Sequence, residues 1–135
     1  MKIIQVCTSQ SQLRRGAERF CLNLTEYLDS CGESVTLVSG HPAEEVLKNY
    51  SFSFRTIPEV RVKLVRKLGF DYANIPAILA FQKLIDELRP DIVHFHSFYG
   101  LSSYLIKVAA RKAAVVVTLH DTWCSFIDRN WCCTR

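Results

Sequence analysis

The sequence has no apolar run near the length of about 18 residues that a membrane-spanning helix needs. It also has no internal repeat, no low-complexity tract and no inter-domain linker, so its 135 residues make at most one domain. The apolar stretch near the first residue is too short for a signal peptide. We therefore expect a cytoplasmic protein whose six cysteines are reduced thiols.

Several common ligand-binding motifs are missing as well. There is no G-x-G-x-x-G, no P-loop and no C-x2-C pair. Cys124, Cys132 and Cys133 do not have the spacing of a zinc site, and their role stays open. The net charge is +4, but the basic residues do not form a stripe interleaved with aromatic residues. The sequence therefore gives no clear indication of nucleic-acid binding, and its charge fits an anionic small ligand or an anionic membrane surface.

The residues that are present indicate a soluble α/β domain. The chain is 49% apolar and 22% charged, which is the balance of a globular protein. Strand-like apolar runs alternate with stretches of helical periodicity, and this alternation predicts a doubly wound, mostly parallel sheet. The predicted strands cover residues 2–8, 34–39, 53–57, 92–96 and 114–119, and the predicted helices cover residues 17–31, 43–50, 74–88 and 101–112.

Hydrophobic spacing also predicts which side chains are buried. Residues 113–119 are uncharged and rich in β-branched side chains, as is typical of a strand buried on both faces. Cys7 is predicted to be a small buried hydrophobe in the first strand. The predicted buried face of the first helix comprises Ala17, Phe20, Cys21, Leu24, Leu28 and Cys31. The helix after Asn74 is predicted to bury Ile75, Ile78, Leu79, Leu84, Ile85 and Leu88.

Histidines end two of the predicted strands. His94 and His96 end P-D-I-V-H-F-H, and His120 with Asp121 ends A-V-V-V-T-L-H-D. Two parallel strands joined by a crossover helix would bring all four residues to their carboxyl ends, where open α/β sheets bind ligands. Taken singly, such a histidine is more often a core or capping residue. As a set, these residues are compatible with a general acid or base, a sugar-hydroxyl binder or a metal ligand.

The turn after the first predicted strand is a candidate anion site. Arg14, Arg15, Gly16 and Ala17 lie between that strand and a helix. Free backbone N–H groups and the positive end of the helix would converge there and bind phosphate. The alternative is a glycine that only eases entry into the helix.

A basic segment lies between residues 59 and 70. It holds Arg61, Lys63, Arg66 and Lys67 against Glu59. A solvated helix or loop is the simpler interpretation of such a charge run. The alternative is an amphipathic patch for the anionic inner face of a membrane or for an anionic acceptor.

Four segments together resemble the N-terminal domain of glycosyltransferase family 4. They are R-G-A-E-R, C-G-E-S-V-T-L-V-S, R-P-D-I-V-H-F-H-S and V-V-V-T-L-H-D, in the family's order and over essentially the whole chain. The resemblance implies an incomplete GT-B N-terminal domain with a Rossmann-like sheet. It implies a retaining, metal-independent enzyme without a cofactor, whose partners are a nucleotide-sugar donor and a glycan or lipid-linked acceptor.

The resemblance also implies roles for single residues. It places Arg15, Gly16 and Ala17 at the donor phosphates, His120 and Asp121 in catalysis, and His94, His96 and Ser97 in the floor of the cleft. Arg15 departs from the family, which usually has a second glycine there. Its side chain either crowds the phosphate or adds charge to it.

The family's nucleotide pocket and paired glutamates lie in a C-terminal domain that these residues do not include. Because N-W-C-C-T-R follows a predicted strand without a closing helix, we expect the sequence to be truncated and inactive alone. Two alternatives remain. One is a small nucleotide- or anion-binding α/β domain without catalysis. The other is a metal-dependent hydrolase, which the short length disfavours because H-x-H hydrolases usually need a long (β/α) barrel.

Overall fold

The described strands form a five-stranded parallel sheet. The computed structural model describes residues 1–8, 16–40, 50–59, 74–97 and 100–120. The strands are β1 (Lys2–Val6), β2 (Ser34–Ser39), β3 (Ser53–Thr56), β4 (Ile92–Phe95) and β5 (Ala114–Val117). Their order is β3-β2-β1-β4-β5, and each neighbouring pair is parallel. The predicted doubly wound sheet is confirmed.

Helices cover both faces of this sheet. They are α1 (Gly16–Ser30), α2 (Ile75–Leu88) and α3 (Leu105–Ala109). One face packs under α1 through Cys7, Cys21, Leu22, Leu37 and Phe52. The other face packs under α2 and α3 through a larger core that includes Ile4, Val38, Phe81, Phe95 and Leu105. Residues 43–49 of the predicted helix 43–50 and most of the basic segment lie outside the described residues, and Tyr50 is not helical.

Capping residues end α1 and begin α2. Gly32 has a φ of +82°, a conformation that glycine adopts without a Cβ penalty. It lets the N–H of Glu33 reach the carbonyl of Leu28 at 3.1 Å, which closes the helix. At the start of α2, the Oδ1 of Asn74 accepts the N–H of Ala77 at 3.2 Å. Residues next to the helices in sequence therefore fix the end of α1 and the start of α2.

The predicted buried face of α1 is partly wrong. Glu18, Cys21, Leu22 and Thr25 are the buried residues of the helix, whereas Phe20 is 49% exposed. The reason is that α1 packs over β1 and β2, so that its Phe20 side reaches imidazole rings instead of the apolar core. Cys31 is exposed because the helix ends one residue earlier.

The predicted burial of Ile75 and Leu79 is also wrong. These side chains are 63% and 62% exposed. The helix packs instead through Ala77, Phe81, Leu84 and Ile85, a stripe rotated away from them. Helical spacing alone did not distinguish the two stripes, since α2 is apolar on more than one side.

The burial predicted for residues 113–119 is wrong for most of the strand. Val116, Val117 and Leu119 are 43%, 40% and 61% exposed. In the described sheet β5 is an edge strand paired only with β4, and α1 covers β1 and β2 rather than this edge. The predicted helix over residues 101–112 is shorter as well, because the hydroxyl of Ser102 accepts the N–H of Tyr104 and forms a turn first.

Replacing Asn74 with alanine should destabilise the chain. The side chain is buried, caps Ala77, and its Nδ2 also donates to the carbonyls of Pro58 at 3.1 Å and Gly100 at 3.2 Å. Loss of the cap and of two buried donors should lower the free energy of unfolding by about 2–4 kcal/mol. Urea unfolding measures this change. The exposed Asn23→Ala control should change it by less than about 0.5 kcal/mol, and an equal effect of both variants would contradict the role of the cap.

Candidate functional site

The strand order reverses between β1 and β4, which lie side by side. The chain after β1 leads to α1 on one face, and the chain after β4 leads to α3 on the other. Such a reversal opens a crevice at the carboxyl ends of the strands. Thr8 follows β1 and Ser97 follows β4, and their hydroxyl oxygens are 2.5 Å apart. This edge of the sheet is the candidate site.

Three histidines meet at this edge, and we call His94, His96 and His120 the histidine cluster. The rings of His94 and His96 have centroids 4.0 Å apart, and those of His96 and His120 have centroids 5.5 Å apart. The Nδ1 of His96 lies 3.2 Å from the Nε2 of His120. The structure therefore brings together histidines that are 24 residues apart in the chain.

His96 and His94, the two less exposed members of the histidine cluster, each have a hydrogen-bond partner from a neighbouring segment of the sheet. The Nε2 of His96, a residue that is 5% exposed, lies 2.6 Å from the Oε1 of the buried Gln5. The Nε2 of His94 lies 2.8 Å from the hydroxyl of Thr118. Neither imidazole is an isolated polar group, which explains how an apolar sheet accommodates them.

Phe20 covers the histidine cluster from α1. Its ring centroid lies 5.8 Å from that of His96 and 5.2 Å from that of His120, the latter nearly edge to face. These are the distances and tilts that aromatic pairs favour. The first helix thus contacts two of the three imidazoles through the ring of Phe20.

Burial keeps His94 and His96 neutral at neutral pH. Desolvation lowers the pKa of His96 to about 3, and the neighbouring His94 and His120 act in the same direction. Burial also lowers the pKa of His94, with a smaller effect of His120. At neutral pH these two imidazoles are therefore hydrogen-bonding groups, each able to donate at one nitrogen and accept at the other.

The start of α1 is exposed. Among the described residues, a Cβ added at Gly16 would meet no atom within 4 Å. Ala17 is partly buried, and Glu18 is buried with no partner for its Oε2 among the described residues. The first N–H groups of a helix have no partner within the helix, so this end can receive an anion.

Other predicted positions lie outside the described residues. They are Arg14, Arg15, Asp121, the basic residues Arg61, Lys63, Arg66 and Lys67, and the cysteines Cys124, Cys132 and Cys133. Within the described ranges, no three histidine, cysteine or acidic side chains are placed to hold a metal ion. No helix in those ranges is long and apolar enough to cross a bilayer.

A family comparison covers most of the chain, from the residues before α1 onwards, but not β1. The sequence model of glycosyltransferase family 4 matches residues 14–131. The chain belongs to glycosyltransferase family 4. Searches of curated proteins and of solved structures found no match. The matched residues of this family 4 domain include α1, β4, β5 and all three members of the histidine cluster.

Three contacting residues were not predicted from the sequence. Gln5 was assigned to a strand without a role, Thr118 to a buried strand, and Phe20 to the core. The available signal was a polar residue within the apolar run K-I-I-Q-V-C. A buried polar side chain needs a partner, so Gln5 indicated that another polar group of this family 4 domain lies beside it.

The stability of the chain should fall as the pH is lowered from 7 to 5. The folded-state pKa of His96, about 3, is below the ordinary value of 6.5, so the unfolded chain binds more protons in this range. The contribution of neutral His96 to the free energy of unfolding is complete above the ordinary pKa. It is lost as the pH falls toward the folded-state pKa, by up to about 1.4 kcal/mol per pH unit for one proton. Urea unfolding at several pH values measures the slope.

The matched variant for this experiment is His96→Gln, which keeps a polar side chain but does not titrate. Its slope should be smaller than that of the wild type. It should not reach zero, because the pKa of His94 is lowered too. Equal slopes in the two proteins would contradict a buried, neutral His96.

Proposed function

We propose that this domain forms the acceptor side of the cleft of a retaining glycosyltransferase. The full enzyme would transfer a sugar from a nucleotide-diphosphate sugar to a hydroxyl of a polysaccharide or a lipid-linked glycan. Membership of glycosyltransferase family 4 supports a transferase domain. The observation that carries the finer proposal is that the histidine cluster meets the first helix where the strand order reverses.

The proposed roles follow from position. His120 is exposed and commits one ring nitrogen to His96, so its other nitrogen is proposed to contact the reacting sugar or the acceptor hydroxyl. The start of α1, at Gly16 and Ala17, is proposed to stabilise the departing diphosphate together with Arg15. Preorganised donors of this kind act on the charge that develops in the transition state.

Other features are proposed from family resemblance. Asp121 is proposed to assist His120, and His94 and Ser97 to shape the floor of the cleft. The nucleotide is proposed to bind a second domain, without a metal or another cofactor. The basic residues Arg61, Lys63, Arg66 and Lys67 are proposed to touch an anionic membrane surface from the cytoplasmic side.

A second candidate function is anion or nucleotide binding without catalysis, and the exposure of Gly16 at the start of α1 favours it. Calorimetry with a nucleoside diphosphate distinguishes the two candidates. A simple binding domain should bind the nucleotide tightly as the 135-residue chain. The transferase proposal expects at most weak binding, because most of the donor pocket belongs to the second domain.

His120→Ala should lower sugar transfer when the chain is joined to its donor domain. Loss of a preorganised group at the reacting centre should reduce kcat by about 10² or more. Circular dichroism should show an unchanged fold, since His120 is exposed and follows the last described strand. The control is Lys83→Ala on the exposed side of α2, which should leave kcat unchanged. Wild-type turnover in His120→Ala would contradict the proposed role.

A further inference from the structure

Gln5, His96 and His120 form a continuous hydrogen-bonded series that runs from the centre of the sheet to its edge. The Oε1 of Gln5 lies 2.6 Å from the Nε2 of His96, and the Nδ1 of His96 lies 3.2 Å from the Nε2 of His120. Exposure rises along the series, from 1% at Gln5 and 5% at His96 to an exposed His120. The buried end is therefore shielded from solvent, and the outer end is accessible to a ligand.

We propose that Gln5 and His96 are positioning residues, which hold His120 as the tautomer with its proton on Nε2 and a free lone pair on Nδ1. The direction of each hydrogen bond in the series decides this tautomer. Its consequence for sugar transfer rests on the proposed function, whereas the tautomer of His120 does not.

The amide of Gln5, at the buried end, sets the direction of the hydrogen bonds in the series. An amide oxygen can only accept a hydrogen bond, so the Nε2 of His96 must carry the proton that points at the Oε1 of Gln5. A neutral imidazole has one N–H and one acceptor nitrogen, and the hydrogen bond at one nitrogen fixes the state of the other. The Nδ1 of His96 is therefore an acceptor.

Because His96 is neutral, the acceptor state of its Nδ1 determines where His120 carries its proton. The ring is buried, lies beside His94 and His120, and has a pKa of about 3. It therefore has no second proton to donate at neutral pH. The Nε2 of His120 must then donate to the Nδ1 of His96 across their 3.2 Å contact. In neutral His120 the remaining nitrogen, Nδ1, holds the lone pair.

The orientation of the outer ring has a second support. Phe20 packs nearly edge to face against His120 at 5.2 Å and also touches His96 at 5.8 Å. The series and the phenyl ring together restrict rotation of an exposed imidazole that would otherwise be free to turn. A lone pair held in a fixed direction can accept a hydrogen bond from a sugar hydroxyl, which the opposite tautomer could not do with that nitrogen.

His94 stands outside the series. Its Nε2 is engaged by the hydroxyl of Thr118 at 2.8 Å, although its ring lies close to that of His96. Thr118→Val removes this neighbouring hydrogen bond with little change in shape and leaves Gln5, His96 and His120 in place. It is the matched control.

Histidine ring nitrogens can be read directly by long-range proton–nitrogen NMR of the labelled 135-residue chain at about pH 8, where ordinary histidines are neutral. Protonated and unprotonated ring nitrogens resonate in separate regions, and His→Gln variants assign each ring. We expect protons on Nε2 of both His96 and His120. A proton on Nδ1 of His120, or a mixture of tautomers there, would overturn the proposal. The reversed result would mean that the amide of Gln5 donates instead of accepting.

Gln5→Met tests whether the buried end controls the outer ring. It keeps the length and burial of the side chain but removes the acceptor, so both tautomers of His120 should become populated. Thr118→Val should leave the His120 tautomer unchanged. An unchanged tautomer in Gln5→Met, or an equal shift in Thr118→Val, would overturn the proposal. If Gln5→Met does not fold, the wild-type spectrum still decides the direction.

This experiment separates the proposal from the proposed function. The nitrogen resonances require no substrate and no sugar transfer. A transferase assay without turnover would therefore count against the proposed function alone. A reversed tautomer would count against this inference alone.

Discussion

The parallel pairing of β1 with β4 is the constraint on which the candidate site depends. It places Gln5 opposite His94, and both side chains lie on the face covered by α1. Side chains alternate between faces along a strand, so a shift of one residue would turn Gln5 into the apolar core under α2 and α3. The same shift would leave His96 without its acceptor. The register is therefore fixed both by hydrophobic burial and by one buried hydrogen bond.

Elements with strong local signals could be predicted from the sequence. The strand Ser34–Ser39 was predicted with its observed bounds, because Gly32 before it ends α1 and its apolar run is clear. The faces of the helices could not be predicted as well. Phe20 and Leu79 fit a helical stripe, but the helix orientation on the sheet decides burial, and that orientation is a tertiary property. The exposure of β5 has the same origin, since composition does not show which strand lies at an edge.

The site was predictable to the extent that topology determines it. The carboxyl ends of neighbouring parallel strands must lie together, and this brings His96 and His120 into contact. The partners of these histidines depend on register and helix placement, so Gln5 and Phe20 were missed. Family membership supports a sugar-transferring domain, whereas the roles of Gly16 and His120 remain predictions. Arg15 and Asp121 also remain predictions, and they lie outside the described residues.

Phe20 lies four residues after Gly16, or about one helical turn. Because one turn of helix moves as a rigid unit, a ligand that tilts the start of α1 must also displace the phenyl ring over the imidazoles. The magnetic field of that ring shifts the proton resonances of His96 and His120, which it faces at 5.8 Å and 5.2 Å. Chemical shifts of these two imidazoles therefore report movement of the helix, including movement caused by an anion bound a full turn away.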